Sequence, residues 1–342
     1  MPSNPPAAPP VPRFRPRRWL RAGLAALLLL GLAHGLLWAW LAGRMERELD
    51  TWSAGRRALG WQVEHGTPAR DGWPWAVRLT LPAVRLVEPG GLGWQAGQLA
   101  LSLALPWPAE LALDASGPQA LLAGAERLPF AAASLTGSLA QAGAPLRLQA
   151  TALRGPAAGA TPMLRRAALV VPEDGAFDLA LEGLSLPAQA PPAVLALGAE
   201  VQRLALRGAL TVPLPAAPNP ARQATAWRDA GGRVQLHALD LRWGPVQAGL
   251  QGELALDAAL QPAGSLTLTL AGLREALAAL SGAGVIEPRN AQALGVLGAL
   301  LPRVAMEGGA TGLRLPLALR DRSLAAAGFT LLRLPLLVWP AQ

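Results

Sequence analysis

Between Ala22 and Gly43 the chain carries no charged residue. A stretch of that length, written as a helix, crosses a hydrocarbon core of about 30 Å. Whatever else folds must therefore fold beside a membrane. Trp19 at one end and Trp38 and Trp40 at the other suit the two interfaces, where an amphipathic indole is favoured. Arg13, Arg15, Arg17, Arg18 and Arg21 precede the span, and Arg44, Arg47, Arg56 and Arg57 follow it. The cluster in front predicts a cytoplasmic N-terminus and an external C-terminal body, although the trailing arginines lessen the asymmetry.

A cleaved signal peptide is the competing reading, with Leu24 to Ala33 as its apolar region and Ala33 and Gly35 as small residues before a cut. Leu41 and Gly43 make a poor small-x-small pair, so the anchor is expected to stay attached. In both readings the body lies outside the cytoplasm. Gly31 and Gly35 form a GxxxG pair, and a plain lipid-facing helix explains them without a partner. His34 is the one titratable group in the span and can reach toward the interface. The expected organisation is a disordered Pro/Arg-rich cytoplasmic tail over 1–18, a transmembrane signal anchor over 19–43, and a β-rich body over 44–342.

Past a helical extension from Met45 to Leu59, the apolar period changes from 3.6 to 2. Val246, Ala248, Leu250, Leu254, Leu256, Ala258 and Leu260 alternate with Gln247, Gln251, Glu253 and Asp257. Leu99 to Leu105, Leu266 to Leu270 and Leu313 to Leu319 repeat the pattern. Such strands have one dry face and one wet face, as in antiparallel sheet. Val234 and Leu236 fall in one phase and Leu239, Leu241 and Trp243 in the other, which predicts a bulge near Ala238. Short helices are expected over Leu273–Leu280 and Ala293–Leu301. The fold class expected is mainly β with an N-terminal transmembrane helix: a large antiparallel sheet, curved or sandwich-like, with a few short helices. A division of the body near 154–162 competes with a long loop inside one sheet.

Composition narrows the chemistry. All 30 basic residues are Arg, and removing the five before the span lowers the formal charge from +8 to about +3. No basic stripe is left to track phosphates, so no nucleic-acid partner is expected. With Cys 0, thiolate catalysis and disulfides are excluded. His65 and His237 have no second ligand at metal spacing, and no nucleophile elbow, P-loop or dinucleotide fingerprint occurs. Asp240 and Asp257 could pair, but turn or surface positions explain them better. The chain is expected to be no enzyme and to hold no cofactor or metal. Gly72-Trp73-Pro74-Trp75 reads as a tight turn placing two indoles in the core at the start of a strand.

Taken together, the N-terminal anchor, the stretch from Gly72 to Leu79, Pro106-Trp107-Pro108 running into Leu111 to Gln119, and the strand pair from Gly244 to Gly264 resemble the bacterial family known as domain of unknown function 2125. More distantly, the Gly252 to Leu270 pattern is similar to strands of AsmA-like envelope proteins, whose curved sheets are associated with lipid handling. The first resemblance implies a protein of the bacterial inner membrane with its body in the periplasm, and brings no catalytic residues. Two functions are open. In one, a Leu-lined sheet face holds lipid or another amphiphile, with Leu250, Leu254, Leu256, Leu266, Leu268 and Leu270 as the candidate lipid-facing residues. In the other, that face is closed core and the protein is an envelope scaffold or assembly factor.

Overall fold

The computed structural model describes the chain except residues 1–15, 125, 141–144, 156–163, 173–174, 216, 218, 307–310, 327–328 and 340–342. The tail expected over 1–18 lies outside the described residues up to 15, and helix is already formed at Pro16. From there one uninterrupted helix, α1, runs Pro16–Ala58. Its Leu- and Ala-rich sequence contains no proline after Pro16, so nothing breaks the hydrogen-bond ladder. From Leu20 to Ala33 every side chain is exposed. Beyond that, His34, Trp38, Ala42, Met45, Leu49 and Ser53 form a shielded stripe at helical spacing, with Ala42 and Ser53 each 1% exposed. The helix ends where Gly60 adopts φ +85 and the Arg57 guanidinium donates to the Val63 carbonyl at 3.0 and 2.8 Å.

The rest is one antiparallel sheet of 18 strands. Its first part comprises β1 (Gln62–Glu64), β2 (Ala69–Asp71), β3 (Ala76–Val87), β4 (Leu92–Ala104), β5 (Glu110–Ala123), β6 (Glu126–Phe130) and β7 (Ser134–Ala140). Then come β8 (Leu146–Leu153), β9 (Leu164–Val171), β10 (Ala176–Ser185), β11 (Glu200–Leu210), β12 (Arg233–Trp243), β13 (Val246–Leu256) and β14 (Pro262–Ala271). The last are β15 (Arg303–Ala305), β16 (Thr311–Arg320), β17 (Ser323–Ala326) and β18 (Phe329–Arg333). Strands next to each other in sequence pair in almost every case, so the sheet is a meander. In the exceptions, β1 and β2 share the outer edge of β3, β6 and β7 share β5, and β16 pairs with both β14 and β15. Among the described residues there is no second sheet, so the sandwich-like alternative gives way to a single open layer. Local turns carry much of this topology, because most neighbouring strands are joined by short loops.

Four shorter helices interrupt the meander: α2 (Pro192–Leu195), α3 (Pro220–Asp229), α4 (Leu273–Gly282) and α5 (Pro288–Ala299). The Asn219 side chain caps α3 by accepting from the Arg222 N–H at 2.9 Å, and α3 buries Trp227. The pair α4 and α5 falls where the sequence places two helices, and α4 buries Ala276 and Leu277. The expected bulge is present: the pairing of β12 with β13 skips from Leu236 to Leu239. Strands β8 and β9, on either side of the 154–162 segment, pair with each other from Leu146↔Val171 to Leu153↔Leu164, so they are neighbours in one sheet. Residues 156–163 of that segment lie outside the described residues.

Candidate amphiphile-binding face

Cross-strand partners in an antiparallel sheet project from the same face, so the register shows which side chains meet. Leu79 pairs with Leu101, Leu101 with Leu113, Leu113 with Gly137, and Gly137 with Leu148. Leu148 pairs with Leu169, Leu169 with Leu179, and Leu179 with Leu206. The row continues through Leu239, Leu250, Leu268 and Leu315. A single file of leucines, interrupted once by glycine, therefore crosses the meander from β3 to β16. A parallel file of leucine and alanine runs beside it, through Leu81, Leu99 and Ala115 at one end and Ala248, Leu270 and Leu313 at the other.

These leucines are neither sealed nor open. Leu79, over which α1 passes, is 1% exposed and Leu266 is 8% exposed, whereas Leu101, Leu113, Leu148, Leu169, Leu179, Leu206, Leu250 and Leu268 are half-buried. Their cover comes from their neighbours in the rows. Of the candidate residues, Leu266 sits in a cluster with Leu236, Leu317 and Ala326, against which Leu250, Leu254 and Leu268 pack. Leu270 stands in the second row beside Ala248 and Leu313, and Leu256 pairs with Pro262 at the strand end, outside that cluster. The β12 bulge keeps Leu236 and Leu239 on this face despite their odd spacing. The stretch from β7 to β11 went unread in the sequence: strands such as Leu164–Val171 carry apolar residues on both faces, which hides the alternation.

The other face is polar or small. Its charges pair across strands: Arg166 with Glu182 at 3.9 Å, Arg207 with Asp240 at 3.8 Å, and Arg233 with Glu253 at 2.5 Å. All are well exposed and add little stability. Asp240 and Asp257 are not brought together. Asp240 faces Arg207, while the Asp257 carboxylate accepts from the Ala259 and Gln261 N–H groups, each at 2.8 Å, as a turn residue does. Among the described residues no three His, Cys, Asp or Glu side chains gather as a metal site would require.

At its N-terminal end the apolar face is covered by α1. Met45 and Leu49 pack on Leu79, Leu81 and Val84. The Trp38 indole donates to the Ala76 carbonyl at 2.8 Å, and His34 Nε2 donates to the Pro74 carbonyl at 2.7 Å. Higher up, Glu46 accepts two bonds from Arg70, one of 2.7 Å. Those bonds, reinforced by the Arg70 charge against a small desolvation penalty, hold the Glu46 carboxyl below the usual carboxylate range. The turn at Gly72-Trp73-Pro74-Trp75 is not the core cluster expected from sequence: Trp73 is 62% and Trp75 78% exposed, and Trp107 on the neighbouring β4–β5 loop is 83% exposed. The turn seats its backbone, rather than its indoles, against α1.

This arrangement defines a class: a single curtain-like β-meander with one leucine face, packed at one end against an N-terminal helix long and apolar enough to cross a membrane. The chain belongs to the family described as an uncharacterized protein conserved in bacteria, DUF2125, whose model matches residues 38–335. That match takes in Trp38, the turn at 72–75 and every strand of the sheet. No curated protein and no solved structure matches the chain.

Proposed function

We propose that the protein is a non-enzymatic, membrane-anchored holder of lipid or another amphiphile, with α1 in the bacterial inner membrane and the sheet in the periplasm. The observation that carries this reading is the leucine file from β3 to β16, half-buried beyond the end that α1 covers and, among the described residues, backed by no second sheet. A folded protein that needed these side chains only as core would gain about 25 cal/mol for each further Å² it covered. An acyl chain laid along the file would supply the same cover. The polar face, with its exposed ion pairs, stays in water.

A photo-crosslinking benzophenone amino acid tests this in the full-length chain in its native membrane. Placed at Leu268 it should give an adduct of lipid mass. At Thr267, the adjacent position on the polar face, it should not. Equal labelling at both positions, or none at either, would reject the reading. A second reading, an envelope scaffold, is favoured by one observation: α5 leaves Leu294, Val296, Leu297 and Leu300 from 47% to 77% exposed, an apolar face suited to a protein partner.

A further inference from the structure

The exposed indoles and the path of α1 lead to one conclusion about where the body meets the membrane. Counted at about 1.5 Å per residue, His34 lies about 18 Å along the helix from Ala22, and a core about 30 Å thick ends about 12 Å beyond it. His34 nevertheless bonds to Pro74, so the turn at 72–75 stands alongside the uncharged span instead of above it. The charges on both elements stand off from this contact toward the body. The first charge beyond His34 is Arg44, about 15 Å away along the helix. The first beyond Pro74 on this arm is Arg78, the third residue of β3. Toward the tip from that level the β3–β4 arm carries only the uncharged stretches 72–77 and 103–109, with the exposed Asp71–Arg78 pair above them, and the one charge on the next strand is Glu110, which the register sets level with Ala104 and Ala76, above the indoles.

Irregular backbone enters a membrane only when its polar groups are satisfied. In this turn five carbonyls have partners. The Gly72 carbonyl accepts from the Ala76 N–H at 2.9 Å, Trp75 from Leu105 at 2.8 Å, and Trp107 from Ala109 at 2.8 Å. Two further carbonyls, those of Pro74 and Ala76, are taken by His34 and Trp38. The span's one titratable side chain is thereby explained. It closes the backbone of a turn that would otherwise carry a bare carbonyl into lipid.

We propose that the tip bearing Trp73, Trp75 and Trp107 is inserted in the outer leaflet of the membrane that α1 crosses. Extension of Arg21 back to the inner headgroups lets α1 ride outward by several Å, and brings the indoles toward the acyl–headgroup boundary, where they are most stable. The leucine file then begins at Leu79, just above the leaflet. The inference rests on α1 as a membrane crossing and is independent of what occupies the file.

The absence of cysteine gives a clean test. Single-cysteine variants W75C, W107C and A109C, all at exposed positions, are spin-labelled in the full chain and held in nanodiscs of phosphatidylethanolamine and phosphatidylglycerol. Collision rates with oxygen, which prefers lipid, and with a water-soluble nickel chelate are then compared. Leu30→Cys on α1 is the lipid reference and Glu64→Cys on β1 the aqueous one. The oxygen-to-nickel ratio at 75 and 107 should exceed that at 64 by about tenfold, approaching that at 30. Ratios at 75, 107 and 109 equal to that at 64, with 30 lipid-like, would overturn the tip insertion. An aqueous ratio at 30 would instead overturn the membrane crossing itself.

Discussion

Leu266 and Leu268 sit one step apart on the same face of β14, yet the first is buried and the second half-buried. An aspartate tests what that difference means. Leu266→Asp places a carboxylate among Leu236, Leu317 and Ala326 with no partner, and should cost about 3 kcal/mol or more in urea melts of the solubilised chain. Leu268→Asp leaves the new charge within reach of water, should cost about 1–2 kcal/mol, and should abolish lipid adducts at neighbouring Leu250. Equal losses of stability would mean that the face is closed. Trp38 offers a second test at this scale. Trp38→Phe keeps the ring and removes the donor to Ala76, so hydrogen exchange of segment 72–78 should quicken by about fivefold to tenfold, equivalent to the loss of about 1 kcal/mol. Neither hydrogen bond to α1 was legible in the sequence, because partners 38 and 40 residues apart leave no local pattern. The exposure of Trp73 and Trp75 was misread for the same reason: a turn followed by a strand does not say which way the turn faces.

At the scale of elements, legibility followed how well each strand separates its two faces. In β13, β14 and β16 leucine alternates with Gln, Glu, Thr or Arg, and the strands, their phase and the β12 bulge could all be read. In β9 and β10 alanine occupies the wet face, as at Ala168 and Ala180, and the signal fades. The helix α1 shows a different limit. Its composition gives its length, but the stripe from His34 to Ser53 is apolar, polar and titratable by turns and reads as a docking face only once β3 is beside it. That docking depends on pH through Glu46. Its carboxyl titrates below its ordinary value, so its contribution is complete above the ordinary carboxylate range and is lost as pH falls beneath that range through the lowered value. Exchange protection of residues 62–71 should therefore be flat from neutral pH down to the ordinary carboxylate range and fall only at more acid pH. In Glu46→Gln it should be weaker throughout and lack the acid step. A step that persists in that variant would assign it to another group.

For the whole molecule, the question is whether helix and sheet stay one piece. The signal-peptide reading cuts after Gly35 and leaves Leu36 as the new terminus. That cut removes His34 from the Pro74 carbonyl and takes away the exposed Leu20 to Ala33 segment, but leaves Trp38, Met45 and Leu49 on the sheet. The peptide bond concerned lies inside an unbroken helix, Pro16–Ala58, just past His34, which is bonded to the turn at 72–75, so a protease would have to unwind the helix beside that docked turn to reach it. N-terminal sequencing of protein taken from membranes should therefore find a terminus upstream of Ala22, and a reporter active only outside the cytoplasm, fused after Gln342, should work while fractionating with the membrane. A terminus at Leu36 with the reporter active and soluble would show that the helix is a signal peptide. A reporter active only in the cytoplasm would reverse the orientation set by the leading arginines. An intact terminus with an external reporter leaves the sheet fixed beside the leaflet by a helix it cannot leave, which limits any amphiphile it holds to one drawn from, or returned to, that membrane.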